Sequence, residues 1–255
     1  MASTIAVFAV YREDMDGDSD LTPLPDDWQR ALVVMAHPDD PEYGVGAAVA
    51  TWTSAGKDVR YVLGTRGEAG IAGMPPGESA RVREEEQRRA IAHVGVSQLE
   101  FLDHRDGTVE YGPILRRDIA AAIRQHQPEL VVTMNFHETW FPGAWNSADH
   151  RAFGLAVMDA VSDAANEWIF PDLADDGFAP WAGVRHVAVN SPTGTHMVEV
   201  ADGVDAAIAS LAEHKQYLAA LSDDPILDQA TRQVLGVTGG PDAVERHVRF
   251  DLYDM

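Results

Sequence analysis

The chain has 255 residues, 45% of them hydrophobic, enough for one large α/β domain with a sizeable buried core. A formal charge of −22 argues against nucleic acid or an anionic membrane surface as partners, because both reward clustered Lys and Arg. With no cysteine, disulfides, thiolate catalysis and Cys-based zinc sites are excluded, so any transition metal must be held by His and carboxylates.

The short apolar patch from Ile5 to Tyr11 has no basic flank and is too brief to span a bilayer, which predicts a cytoplasmic protein without a membrane segment. From Ala31 onward strand and helix patterns alternate, the signature of βαβ units. The expected fold is α/β, a Rossmann-like three-layer arrangement with a mainly parallel central sheet and helices on both faces. "ALVVMA" is a continuous apolar run, as in a central strand covered on both sides. "VGAAVATWTSAG" follows as a helix that Gly56 can end. "DVRYVLGT" gives a second strand and empties into a Gly-rich loop, "RGEAGIAGMPPGE", after which Ser79 is placed to cap a helix running to Val94.

"QLEFLD" and "ELVVTM" read as two more strands around a helix with Leu115, Ile119, Ala122 and Ile123 on one face. The polar, aromatic stretch "NFHETWFPGAWNSADH" is expected to be a lid or a site wall, followed by a helix over 148–166. "RHVAVN" and "HMVEV" read as late strands, with antiparallel pairing open to them, and Val204, Ile208, Leu211 and Leu218 mark one face of a following helix. One domain over 1–255 is expected, with its core in 30–221 and a turn-rich tail at 222–255.

Several chemistries can be set aside. Gly44 and Gly46 begin a dinucleotide fingerprint, but Val49 stands where its third glycine belongs. There is no G-x-S-x-G, and "HETWF" has Phe141 where a second zinc-binding histidine would be required. What remains is "HPDD" at the end of the first long strand, the edge where open α/β sheets place ligands. Alone it could be a cap that closes a strand. His37 and Asp40, three apart across a Pro-stiffened turn, can offer a nitrogen and an oxygen to one ion and leave Asp39 free to face water. Two ligands are too few for zinc, and His150 in "NSADHRAFG" is the best third candidate. A His2Asp set with an open position is a catalytic zinc arrangement that can lower the pKa of water to about 7. Asp149 is placed to orient a histidine.

These residues resemble the LmbE-like (PIG-L) family of zinc-dependent N-acetylglucosaminide deacetylases, which includes deacetylases and amidases of mycothiol and bacillithiol metabolism. The resemblance rests on "AHPDD" at 36–40, "TRGEAG" at 65–70, the helix carrying Arg83, Glu85 and Glu86, "DHRAFG" at 149–154, and "HKQ" ending in Gln216. It implies His37, Asp40 and His150 as ligands of Zn2+ or another divalent ion, Asp39 as general base, and Arg66 as a residue facing substrate. It implies removal of an acetyl group from a small N-acetylated amino sugar or related conjugate. An amidase acting on a larger thiol or glycoside conjugate, and a metal-binding protein that has lost catalysis, are the alternatives. Homo-oligomers are common among members. One departure matters: many members have a histidine where this chain has Ser147, and a serine can donate a hydrogen bond but cannot deliver a proton at neutral pH. His137 and His214 are the candidates to replace it.

Overall fold

The computed structural model describes residues 21–255, so the apolar patch at Ile5 to Tyr11 lies outside the described residues. In chain order the elements are β1 (Thr22–Pro23), β2 (Arg30–Met35), α1 (Asp40–Gly44), α2 (Gly46–Ser54), β3 (Asp58–Leu63), α3 (Pro76–His93), β4 (Leu99–Phe101), α4 (Pro113–His126) and β5 (Leu130–Met134). They continue as β6 (Thr139–Phe141), β7 (Ala144–Trp145), α5 (Ala148–Ala165), α6 (Asp172–Asp175), β8 (His186–Asn190), β9 (His196–Glu199), α7 (Val204–Leu211), α8 (Lys215–Leu221), α9 (Ile226–Val237) and β10 (His247–Asp254).

Eight strands form one sheet in the order β1-β9-β10-β8-β5-β2-β3-β4. The run from β8 through β5, β2 and β3 to β4 is parallel, and β10 is antiparallel to both β8 and β9. The α/β fold with a mainly parallel sheet flanked by helices is therefore as expected. Burial explains why the central strands are so apolar: every residue of β5, and all of β2 but Arg30, is buried.

The chain runs outward from β2 to β3 and β4, then returns to the other side of β2 as β5. Strand order thus reverses between β2 and β5, and a crevice forms beyond their C-terminal ends. α5 starts at that crevice and can approach because Gly154 has no side chain: a Cβ there would lie 3.1 Å from the Met134 carbonyl oxygen and 2.8 Å from Phe136. Gly64 does the same from β3, where a Cβ would come within 2.3 Å of the Phe153 ring of α5.

Three elements differ from the sequence expectation. α3 starts at Pro76, a turn before the expected cap, because proline is pre-organised for the first helical position. Ser79 instead donates its hydroxyl to the Gly67 carbonyl (3.0 Å), tying the Gly-rich loop to the helix. The single helix expected after β9 is two, α7 and α8, with His214 as the cap residue between them. The tail is an ordered part of the sheet: β10 inserts between β8 and β9, with Val248 and Phe250 buried.

Phe250 is fully buried and stacks on Trp52 with ring centroids 6.1 Å apart. Phe250→Ala should therefore cost about 3–5 kcal/mol in urea unfolding. A loss below about 1 kcal/mol, the scale of an ordinary surface change, would mean that β10 is not integral to the core.

Candidate metal centre and active site

The site starts where β2 ends. The Asp39 backbone has φ +89°, a region that costs a non-glycine residue about 1–3 kcal/mol and persists only when its surroundings enforce it. α3 supplies that enforcement. The Gln87 side-chain oxygen accepts from the Asp39 backbone N–H at 2.9 Å, and the Arg83 guanidinium donates to both the Pro38 carbonyl and the Asp39 carboxylate. Arg83 is buried and lies over the Tyr217 ring, 4.0 Å from its centroid. The loop leaves room for it at Gly70, where a Cβ would sit 2.2 Å from an Arg83 nitrogen.

The second half of the site comes from the start of α5. Ser147 is its N-cap, its hydroxyl oxygen accepting the His150 backbone N–H at 3.0 Å. That cap sets the first turn of the helix and aims His150 back across the crevice at Asp40. His150 Nε2 is 3.1 Å from one Asp40 oxygen, and His37 Nδ1 is 3.2 Å from the other. The Asp40 carboxylate also accepts the His37 backbone N–H at 2.8 Å, which fixes its rotation.

Each imidazole is held from behind. His37 Nε2 lies 3.1 Å from Asp149 and 3.2 Å from Asp106, and His150 Nδ1 lies 3.0 Å from the Asn146 side-chain oxygen. Those oxygens can only accept, so each rear nitrogen carries a proton, and with a cation beside Asp40 the front nitrogens, His37 Nδ1 and His150 Nε2, would turn lone pairs to it. The carboxylates behind His37 are themselves anchored: Asp149 accepts backbone N–H groups of Gly107 (2.7 Å) and Val109 (3.1 Å), and Asp106 accepts that of Ala69 (2.8 Å). Among the described residues, His37, Asp40 and His150 bring three ligand atoms close enough to hold one ion. The two nitrogens face different oxygens of Asp40, at 3.1 and 3.2 Å, and the three ligand atoms lie within 4.8 Å of one another. His37, Asp106 and Asp149 form a second such group, but it uses the Nε2 that orients the first.

The electrostatics show how strongly the carboxylates here call for positive charge. Burial opposes a charge on His37, yet Asp40 and the hydrogen bonds to Asp106 and Asp149 raise its pKa well above the ordinary imidazole range. Asp40 moves the other way: burial would raise it, but the two imidazoles hold it well below the usual carboxylate range. Asp39 differs from both. Burial pushes it up to about 6 against the opposing pull of Arg83.

The other sequence-predicted residues fall at varied distances from this centre. Asp149 stands directly behind His37. Arg66 is bound to Glu84 and Asp103, and Ser147 caps α5. His137 is exposed and enters the site through its backbone, whose carbonyl accepts the Asn146 amide at 3.1 Å. His214 is fully buried, 3.5 Å from Glu42, and has no hydrogen-bond partner on either ring nitrogen. Sequence reasoning missed Asp106, Asn146 and Gln87 as site residues, and treated Arg83 only as part of a motif. The available signals were a "DG" turn just past β4 for Asp106, and the i, i+4 spacing of Arg83 and Gln87 on one face of α3.

The family described as "PIG-L: GlcNAc-PI de-N-acetylase" matches residues 32–161, a span that contains every residue of this centre. The chain belongs to this family. Among relatives of the PIG-L chain, the "Probable N-acetyl-alpha-D-glucosaminyl L-malate deacetylase 2" of Bacillus anthracis is 33% identical over 141 residues, 52% of this chain and 60% of that protein. The 1D-myo-inositol 2-acetamido-2-deoxy-alpha-D-glucopyranoside deacetylase of Kineococcus radiotolerans is 39% identical over 198 residues, 64% of this chain and 52% of that protein. The matches thus span between half and two thirds of these relatives' lengths. In fold, the chain is similar to the N,N'-diacetylchitobiose deacetylase of Pyrococcus horikoshii, with TM-score 0.77 and 22% identity, covering 89% of this chain and 84% of that one. Among the described residues no helix is long and apolar enough to cross a membrane.

Of the three candidate ligands Asn146 bonds only His150, and its side chain also ties Asn135, His137 and Ser147 into the turn before α5. Asn146→Ala should weaken zinc binding about 10–100-fold in a chelator competition. An unchanged affinity would show that the ring is oriented by something else.

Proposed function

We propose that this chain hydrolyses the acetamide of an N-acetylated amino sugar conjugate, with His37, Asp40 and His150 holding a divalent ion, zinc by preference. The observation that carries this reading is the convergence of two imidazole nitrogens on Asp40, with a separate buried carboxylate, Asp39, on the preceding residue. The ion would polarise the acetamide carbonyl and acidify water, a task suited to two nitrogens and an oxygen with an open position.

The chain's own residues do the rest. Asp39 takes the proton from the attacking water while Arg83 fixes its carboxylate and Gln87 fixes its backbone. As the C–N bond breaks, Asp39 returns that proton to the departing nitrogen, so acetate and a free amine leave. This assigns to Asp39 both halves of the proton transfer. Ser147 spends its oxygen as a helix cap, the His137 side chain is exposed, and His214 is enclosed behind Glu42. None of the three is therefore needed as the acid, and loss of catalysis through Ser147 is not required.

Three measurements test this. The zinc-loaded protein should release amine from N-acetylglucosaminyl compounds, lose that activity to a chelator and regain it with zinc. Asp39→Asn should lower the rate by about 10²–10⁴-fold while elemental analysis finds the metal content unchanged. Undiminished turnover in that variant would remove Asp39 from the mechanism. Ser147→Ala should cost about 1 kcal/mol of stability and leave the rate within a few fold, as loss of a cap does. A hundredfold drop would instead place its hydroxyl on the substrate.

A further inference from the structure

Beside the centre lies an open cleft of about 250 Å³, whose lining includes Arg66, Glu68, Gly77, Ala80, Asp103 and His104. It is joined to the metal ligands through two contacts. Glu68 accepts the Asp106 backbone N–H at 3.0 Å, and the Asp106 carboxylate reaches His37 at 3.2 Å. A substrate whose second group leaves Asp40 on the Asp106 side would meet this cleft.

The charges there are arranged against an anion. Arg66 is the one cation among the lining residues with a fixed charge, and Glu68 and Asp103 are the two carboxylates. The guanidinium is already committed: one terminal nitrogen donates to Glu84, the other to Asp103 at 3.1 Å, and its face lies over Phe101, 5.1 Å from the ring centroid. His104 is occupied as well, with Nε2 lying 3.0 Å from Asp118. A carboxylate entering the cleft would share Arg66 with Asp103 and Glu84 and meet the repulsion of these acids and of Glu68. Hydroxyl groups would meet no such repulsion. They can donate to the same carboxylates and accept from the N–H groups of Arg66 that are still free.

We infer that the cleft holds an uncharged, polyhydroxylated group, a second sugar or a polyol, and that Asp103 and Glu84 set this preference by neutralising Arg66. The inference rests on the deacetylase reading, and it separates substrates that the relatives' names leave together. The chain's overall charge of −22 adds long-range repulsion of the same sign, which salt screens.

The test compares three compounds on the zinc-loaded protein: diacetylchitobiose, N-acetylglucosaminyl inositol and N-acetylglucosaminyl malate. The two neutral compounds should exceed the malate conjugate in kcat/KM by about tenfold or more at low ionic strength, and the gap should narrow as salt is added. Asp103→Asn combined with Glu84→Gln should narrow it further by improving the malate conjugate. Asp103 is exposed, so the single Asp103→Asn variant serves if the double variant folds poorly. Equal or greater activity on the malate conjugate would overturn the inference while leaving the deacetylase reading intact. Failure to release amine from any of the three would overturn that reading, and calorimetric binding of the same compounds to zinc-loaded Asp39→Asn protein then decides the charge preference alone. Neutral compounds binding more tightly would support it, and tighter binding of the malate conjugate would overturn it.

Discussion

A half-buried carboxylate between two imidazoles sets the conditions for everything around it. Removing an ion from water costs several kcal/mol unless charge and hydrogen bonds replace the lost solvation. For Asp40 the replacements are His37, His150 and a backbone N–H. They are not a complete answer, because Asp106 and Asp149 crowd the far side of His37. One imidazolium cannot neutralise three carboxylates. A divalent cation beside Asp40 would offset most of that charge, two of the three, and it would let both imidazoles remain neutral while the acids behind His37 accept its N–H. The donor set and the charge balance thus favour the same occupant.

Much of the fold exists to hold that arrangement still. The reversal of strand order puts the ends of β2 and β5 side by side, so a turn after one and a helix after the other can face each other. Two glycines without side chains, Gly64 and Gly154, let α5 settle close enough for His150 to reach Asp40. On the other side α3 grips the turn at Pro38 and Asp39, and thereby sustains a backbone angle that Asp39 would otherwise leave. Asp39 and Asp40 are neighbours in sequence yet meet opposite surroundings. One faces a guanidinium from α3, the other two imidazoles. That contrast separates the proton carrier from the ligand.

The sequence made this division partly legible. "HPDD" after an apolar strand and "DH" at a helix start name atoms whose chemistry is local, so the first ligands could be chosen from residue type and spacing alone. The central strands were legible for a similar reason, since burial on both faces demands continuous apolar runs. The supporting groups were not. Arg83, Gln87, Asp106 and Asn146 look like ordinary surface polar residues, and their burial arises only when α3 and the loop beyond β4 fold against the turn. β10 is a different case. "HVRFDLYD" alternates strictly, as a half-buried strand should, but the turn-rich residues before it masked that pattern.

Ser147 shows how a substitution at a reactive position can be absorbed by structure. The residue lies at the N-cap of α5, where serine ranks among the best acceptors for an otherwise unsatisfied backbone N–H. The N–H it satisfies belongs to His150, so the serine positions that candidate ligand. A histidine in its place would offer a proton but would cap the helix less well, loosening the turn that directs His150 at Asp40. On the proposed reading, this chain keeps the firmer helix start and leaves proton transfer to Asp39, the carboxylate buried next to the candidate ligands. In the proposed mechanism Asp39 takes that duty from a position that Arg83 and Gln87 fix.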